Sequence, residues 1–295
     1  LRDALAAALL AEGIKLPVVI GNRNWHPFTI DALRQIADSG GRRVLTLITA
    51  AYSSYSGCRQ YRDDIAAQVS TLGVPLQVDY VRSYFNTAGF VAANVAAVVA
   101  AFRQLAAAGA PTTELVFVTH SIPTLMEAAS GTARPATYSA QHMEVARLVS
   151  AGVSAVLGRE LPWRLVYCSR SGPPHSPWLG PDVNEAIVEL ARAGRTAVLL
   201  APIGFICDHM EVIHDLDIEA AATAHKVGLG FVRASTVGTH PAFVSALVQV
   251  VNERLGSVGV DVVGDLPAWD PACAAGCCPP PATSSRPVLA TPAAG

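Results

Sequence analysis

The chain has 295 residues, 51% of them hydrophobic, and a formal net charge of −2. That is enough apolar material to bury a substantial core, expected to divide into two lobes. The near-neutral balance, with Lys and Arg dispersed and no basic stripe, excludes a polyanion-binding face, so no nucleic-acid partner is expected.

No apolar run is read as a bilayer span, and the positive hydropathy is ascribed to Ala and Val in ordinary helices and strands. A soluble chain in a reducing, cytoplasmic setting is the expectation. Leu1 stands where a Met would open a complete frame, inside a helical pattern over residues 2–12, and this reads as a cut N-terminus. Residues 16–21 read as a short buried strand, GNRNWHP (21–27) as the loop at its end and 27–39 as a helix. A strand over 43–49 gives way to the hydroxyl-rich AAYSSYSGCRQYR (50–62) and a helix to Leu72. Then come a strand over 74–85, an Ala-rich helix over 90–108, and a strand over 114–119 that delivers His120.

The scheme repeats beyond it, with a helix over 139–151, a strand over 164–168, the loop SRSGPPHSPWLGPD and a helix over 181–193. AVLLAPI (197–203) is a continuous apolar strand, Gly204 permits a turn, and an acidic helix is predicted to start near Asp208. A strand over 228–234 and a helix over 241–255 complete the pattern. Alternating strands and helices imply an α/β fold of two Rossmann-like doubly wound lobes facing a cleft, over 1–112 and 113–255. A C-terminal extension (256–278) and a disordered tail (279–295), rich in Pro, Ala and Ser, are expected to follow.

Asp208 and Glu211 have the spacing of a capping box, which would orient Glu211 on the first helical turn. Glu211, Asp215 and Glu219 follow at intervals of four, with His209 and His214 beside them, so their carboxylates share one face. Such a face is either a solvated acidic surface or a place for a cation. A neutral imidazole at His120, at the end of another strand, suits proton transfer and coordination of a divalent metal of the iron type. Strand ends of this kind are where open α/β sheets place their ligands.

GNRNWHP, AYSSYSGCRQY, VFVTHSIP, the SRSGPP and PWLGPD segments, and PIGF.CDHMEV.HDLD.E, in this order, resemble a ferrochelatase, most of all the actinobacterial enzymes. The likeness covers residues 16–255, and against it a further strand and a Gly-Gly-x-Ser-Pro loop are missing at the front. It implies a chelatase-type fold and insertion of ferrous iron, as substrate, into coproporphyrin III to give coproheme. Protoporphyrin IX, a corrin precursor with cobalt, or a non-catalytic tetrapyrrole or iron carrier are the alternatives. By resemblance, His120 and Glu211 are the catalytic pair, His120, Glu211 and Asp215 the iron ligands, and Arg23, Tyr61 and Trp178 porphyrin contacts. Cys58 with Cys273, Cys277 and Cys278 of CAAGCC would hold a 2Fe-2S cluster, with structural zinc as the rival. Cys168 and Cys207 are read as packing residues. Transient contact with neighbouring heme-pathway enzymes is the only protein partner expected.

Overall fold

A computed structural model of the chain describes residues 1–107, 109, 113–131, 136–172, 175–272 and 276–280. The first part comprises α1 (Arg2–Ala11), α2 (Thr29–Asp38), β1 (Arg43–Thr46), a π-helical turn (Tyr55–Arg59), α3 (Gln60–Thr71), β2 (Gln77–Tyr80) and α4 (Ala88–Ala107). Next come β3 (Thr113–His120), α5 (Thr124–Ala129), α6 (Tyr138–Leu157), β4 (Trp163–Cys168), α7 (Val183–Arg192) and β5 (Ala197–Ala201). The last part holds α8 (Met210–Val212), a π-helical stretch (Ile213–Ala220), α9 (Ala221–Lys226), β6 (Gly230–Arg233) and α10 (Pro241–Leu255).

Every strand pairing is parallel. β1 and β2 form one small sheet, and the larger sheet has the order β4-β3-β5-β6. The run Leu115 to Val118 is continuous because both faces of β3 are covered, as parallel sheets require. Leu115 and Phe117 join Phe90, Val149 and Phe243 on one face, while Val116 and Val118 join Ile187, Leu190 and Leu216 on the other. Leu33 of α2 and Ile65 of α3 close a separate cluster over β1 and β2.

Two expectations fail here for physical reasons. Residues 16–21 form no strand: among the described residues β1 pairs only with β2, so this apolar run has no ladder to join, and Leu16 and Ile20 are exposed. α4 is, by length and composition, apolar enough to cross a bilayer, contrary to the reading that no segment is. Its Phe90, Ala93, Val98 and Leu105 lie in the core, packed with α6 and α10, which gives the apolar sequence a structural use.

Beyond α10 the chain is stapled to the body rather than loose. Arg82 Nε and Nη2 donate to the two Glu253 carboxylate oxygens at 2.6 and 3.1 Å, and Nη2 also donates to the Asp261 carbonyl at 2.8 Å. Asn86 Nδ2 donates to Leu266 O at 2.9 Å, and the Asp265 amide donates to Glu144 Oε1 at 2.6 Å. Trp269 then packs its ring 5.2 Å from that of Phe85. Residues 281–295, where a disordered tail is expected, and Cys273 lie outside the described residues.

Both side chains of the Arg82–Glu253 pair are 4% exposed. Removing one partner strands the other charge, so Arg82→Leu is expected to cost about 3–5 kcal/mol in urea unfolding. The double variant Arg82→Leu/Glu253→Leu is expected to recover most of that loss, because it buries no lone charge.

Candidate active site

The site grows out of the ends of three neighbouring strands. β3 lies between β4 and β5, with His120 opposite Cys168 and Phe117 opposite Ala201. Beyond Ala201 the chain turns sharply, the Ile203 amide donating to Ala201 O at 2.9 Å and the Gly204 amide to Val118 O at 3.2 Å. A Cβ at Gly204 would fall 2.3 Å from Thr119 Oγ1 and 2.7 Å from Thr119 Cα. Only glycine lets the β5 exit lie against the end of β3. The neighbouring loop is fixed in the same way: Ser121 Oγ donates to Leu179 O at 2.8 Å and the Leu179 amide to Ile122 O at 3.0 Å.

These constraints bring His120 and Glu211 together, with 3.5 Å between Nε2 and Oε1. The side chains are 31% and 53% exposed, so the pair is open to a ligand. His120 Nδ1 faces the Ser121 carbonyl at 2.5 Å, and since a carbonyl only accepts, Nδ1 carries the hydrogen. In the neutral ring the Nε2 lone pair is then turned toward Glu211 and the opening. Burial pulls the His120 pKa down, but the Glu211 hydrogen bond, the Ser121 carbonyl and the charges of Glu211 and Asp215 outweigh it, and the net shift is upward. Glu211 moves down, chiefly through His120, with burial opposing. His209 Nδ1 stands 3.9 Å from the other Glu211 oxygen.

The acidic helix departs from its predicted start. It begins at Met210 with no side-chain cap, so the Asp208–Glu211 capping box does not form. Asp208 instead accepts from Arg233 Nη1 at 3.1 Å and Thr236 Oγ1 at 3.0 Å; the nearby cation wins over an orphan amide. Arg233 also grips Asp217, at 2.5 and 2.9 Å, which anchors the π-helical stretch. Asp215 is held elsewhere than expected. Its carboxylate accepts a very short hydrogen bond from Ser169 Oγ and lies 3.3 Å from His214 Nδ1. Donor atoms of His214, Asp215 and Glu219 all lie within 4.8 Å of one another, so Asp215 keeps company with that trio, while its charge still reaches His120.

Among the other predicted site residues, Arg23 and Tyr61 do meet, the guanidinium 5.0 Å from the ring centroid, with Arg23 Nε also donating to Asp64 at 2.8 Å. Trp178 bridges to Pro123, next to the His120 loop, and lies so close to Gly172 that a Cβ there would be 2.2 Å from the indole nitrogen. Among the described residues, that buried indole N–H has no hydrogen-bond partner. Cys58 is buried in the π-helical turn Tyr55–Arg59, its thiol donating to Ser54 O at 3.4 Å. Cys277 and Cys278 are buried with sulfurs 3.8 Å apart, and Cys278 adopts φ 48. Cys168 is buried, which pushes its thiol up to about 12. Cys207 is exposed, so the reading of it as a packing residue is corrected.

Sequence reasoning missed three contributors. Ser169 sits at φ 61, a strained backbone that aims its hydroxyl at Asp215, and its place directly after a strand end was the available signal. Leu125 and Met210 expose large apolar side chains on the elements that follow His120 and carry Glu211.

The sign of each shift sets a pH window. Glu211, depressed, contributes stability above its ordinary 4.5 and loses it as pH falls through the lower folded value; His120, raised, contributes fully below 6.5 and loses it as pH rises through the higher one. The pair therefore contributes most between pH 4.5 and 6.5. In metal-free protein, NMR titration is expected to find His120 titrating above 6.5, and Glu211→Gln to move it down; a wild-type value at or below 6.5 contradicts the pair.

Comparison with known proteins follows this geometry. A family model described as Ferrochelatase matches residues 1–255. Coproporphyrin III ferrochelatase of Streptomyces coelicolor is 44% identical, covering 98% of this chain and 80% of that protein. Coproporphyrin III ferrochelatase of Frankia alni is 44% identical over 96% of this chain and 74% of its own length. A ferrochelatase of Rhodopirellula baltica is 43% identical, covering 97% of this chain and 81% of that protein. Among solved structures, SirB from Bacillus subtilis with Fe3+ aligns at a TM-score of 0.52 and 12% identity, over 85% of this chain and 88% of that one, a likeness of chelatase fold alone.

Proposed function

Because this chain belongs to the ferrochelatase family, we propose that it inserts ferrous iron into coproporphyrin III, the substrate in the names of relatives 44% identical to it. The product is coproheme. The observation that carries the chemistry is the 3.5 Å approach of His120 Nε2 to Glu211 Oε1 across an open edge of the sheet.

Inserting a divalent ion removes two pyrrole protons, so charge balances and no electrons move. His120 is the group that accepts them, one at a time, each proton passing on to solvent before the next is taken: its Nε2 carries the ring's one free lone pair, and its upward-shifted pKa makes it a competent base near neutrality. Glu211 stabilises the imidazolium so formed. Its carboxylate, with those of Asp215 and Glu219 and the His214 ring, offers graded oxygen and nitrogen ligands that replace the water of an incoming ion. Ser169 holds Asp215 in line. Arg23 and Tyr61 form a cation–aromatic unit suited to a propionate and a ring edge, and the unpartnered Trp178 indole N–H is a donor for the same ligand. We take residues 1–112 and 113–255 as the two lobes of the enzyme, 256–278 as its cysteine-bearing extension, and the cytoplasm as its setting.

Cys58, Cys273, Cys277 and Cys278 are assigned to a 2Fe-2S cluster. Burial of Cys58, Cys277 and Cys278 supports this, as does the 3.8 Å between the sulfurs of Cys277 and Cys278, near the roughly 3.8 Å separating two thiolates on one tetrahedral metal. Arg62 lines the same small cavity as Cys58, and among the described residues its buried Nε has no hydrogen-bond partner, a donor suited to an anionic cluster. Bound there, the cluster would supply a cross-link between the tail and the Cys58 turn.

Steady-state metallation of coproporphyrin III and protoporphyrin IX tests the reaction. Turnover with the first is expected to exceed that with the second, and His120→Ala to lower kcat at least about a hundredfold, as loss of a general base does. Stoichiometric porphyrin binding without metallation would instead identify a carrier. For the cluster, anaerobic purification is expected to give a coloured protein with about two iron and two sulfide per chain; a colourless, zinc-bearing protein overturns that assignment.

A further inference from the structure

Behind His120 lies a dry polar group that the metallation chemistry does not use. His142 of α6 is 0% exposed. Its Nε2 is 2.8 Å from Thr119 Oγ1, and its Nδ1 is 2.8 Å from the Tyr138 carbonyl. The Tyr138 hydroxyl donates to the His120 carbonyl at 3.0 Å and also lies 3.0 Å from Thr119 Oγ1. On the other face, Tyr52 stacks on the imidazole, centroids 3.5 Å apart and planes 20° apart, while its hydroxyl donates to the Ile203 carbonyl at 3.0 Å. Ile203 immediately precedes Gly204, the turn through which the chain leaves for Glu211.

Counting hydrogens fixes the tautomer of the ring. A carbonyl only accepts, so His142 Nδ1 carries the hydrogen and Nε2 accepts from the Thr119 hydroxyl. The Thr119 proton is then committed, and the Tyr138 hydroxyl donates to the His120 carbonyl, with Thr119 Oγ1 the other acceptor in its reach. Burial lowers the His142 pKa to about 3, although the Tyr138 carbonyl opposes this, so the ring stays neutral throughout the working range. For folding alone an imidazole is not required here, since an apolar side chain of like volume would fill the space at the cost of the Thr119 hydroxyl's acceptor. What a fully satisfied network adds is a single geometry.

We propose that Tyr52, Thr119, Tyr138 and His142 are a buried positioning unit for metal insertion, setting the peptide of His120 against the Ile203–Gly204 turn that leads to Glu211. The unit touches neither iron nor porphyrin. It acts through two main-chain carbonyls, one on each of the segments that converge, and it rests on the assignment of His120 to the metallation step.

The test is steady-state metallation by the full chain, with melting temperatures measured alongside. His142→Leu is expected to lower kcat about tenfold, the effect of a sub-ångström misplacement, with KM for porphyrin within about twofold and a cooperative melting transition retained. His142→Gln, whose amide oxygen can accept from Thr119, is expected to recover most of kcat. Tyr138→Phe, which keeps the packing and deletes the bond to His120, is expected to match His142→Leu and decides the matter if the latter does not fold. Wild-type kcat in folded His142→Leu or Tyr138→Phe overturns the proposal, as does a Gln variant no better than Leu. Retained turnover in His120→Ala would defeat the metallation assignment itself, and this inference with it.

Discussion

Parallel pairing of β3 with a neighbour on each side is the constraint from which the site follows. It places the carboxyl ends of β3, β4 and β5 side by side, so that three loops leave the sheet at one edge. His120 ends the first, Ser169 follows the second, and the turn to Glu211 follows the third. Residues far apart in the chain become neighbours because hydrogen bonds between strands fix their register, and the absence of a side chain at Gly204 brings the last loop into contact.

Charge is then distributed over the sheet and its loops by pairing rather than by exposure. Glu114, at the far end of β3, is buried between Arg164 at 2.6 Å and Arg195 at 2.9 Å, while Arg233 takes Asp208 and Asp217 away from the row of carboxylates. Each neutralised acid is structural. Among the described residues, Glu211, Asp215 and Glu219 are left with only hydroxyl or imidazole partners.

Much of this was legible in the amino-acid sequence, because the apolar runs of β3 and β5 and the residues at their ends are local signals. The apolar stretch over 114–119 announced the strand that delivers His120, and the glycine after AVLLAPI announced the turn. What could not be read depended on distant partners. Asp208 has the spacing of a cap, yet Arg233 claims it from another strand. The run at 16–21 has strand composition but meets no ladder. The π-helical winding of Ile213–Ala220 leaves no mark in a pattern of four-residue steps, and the hydroxyl of Ser169 gains its meaning only from a left-handed backbone. His142 looked like any polar residue on a helix until its strand-borne partners surrounded it.

Seven of the eight residues of β3 are sealed from solvent, and only its last, His120, is wetted. The sheet behind the imidazole is therefore an insulator, with its buried histidine fixed as a neutral ring that relays nothing. On the proposed assignment, a proton taken up at the imidazole leaves on the solvent side, where Glu211 stands 3.5 Å away. The dryness of one strand would thus give the proposed reaction a direction of traffic.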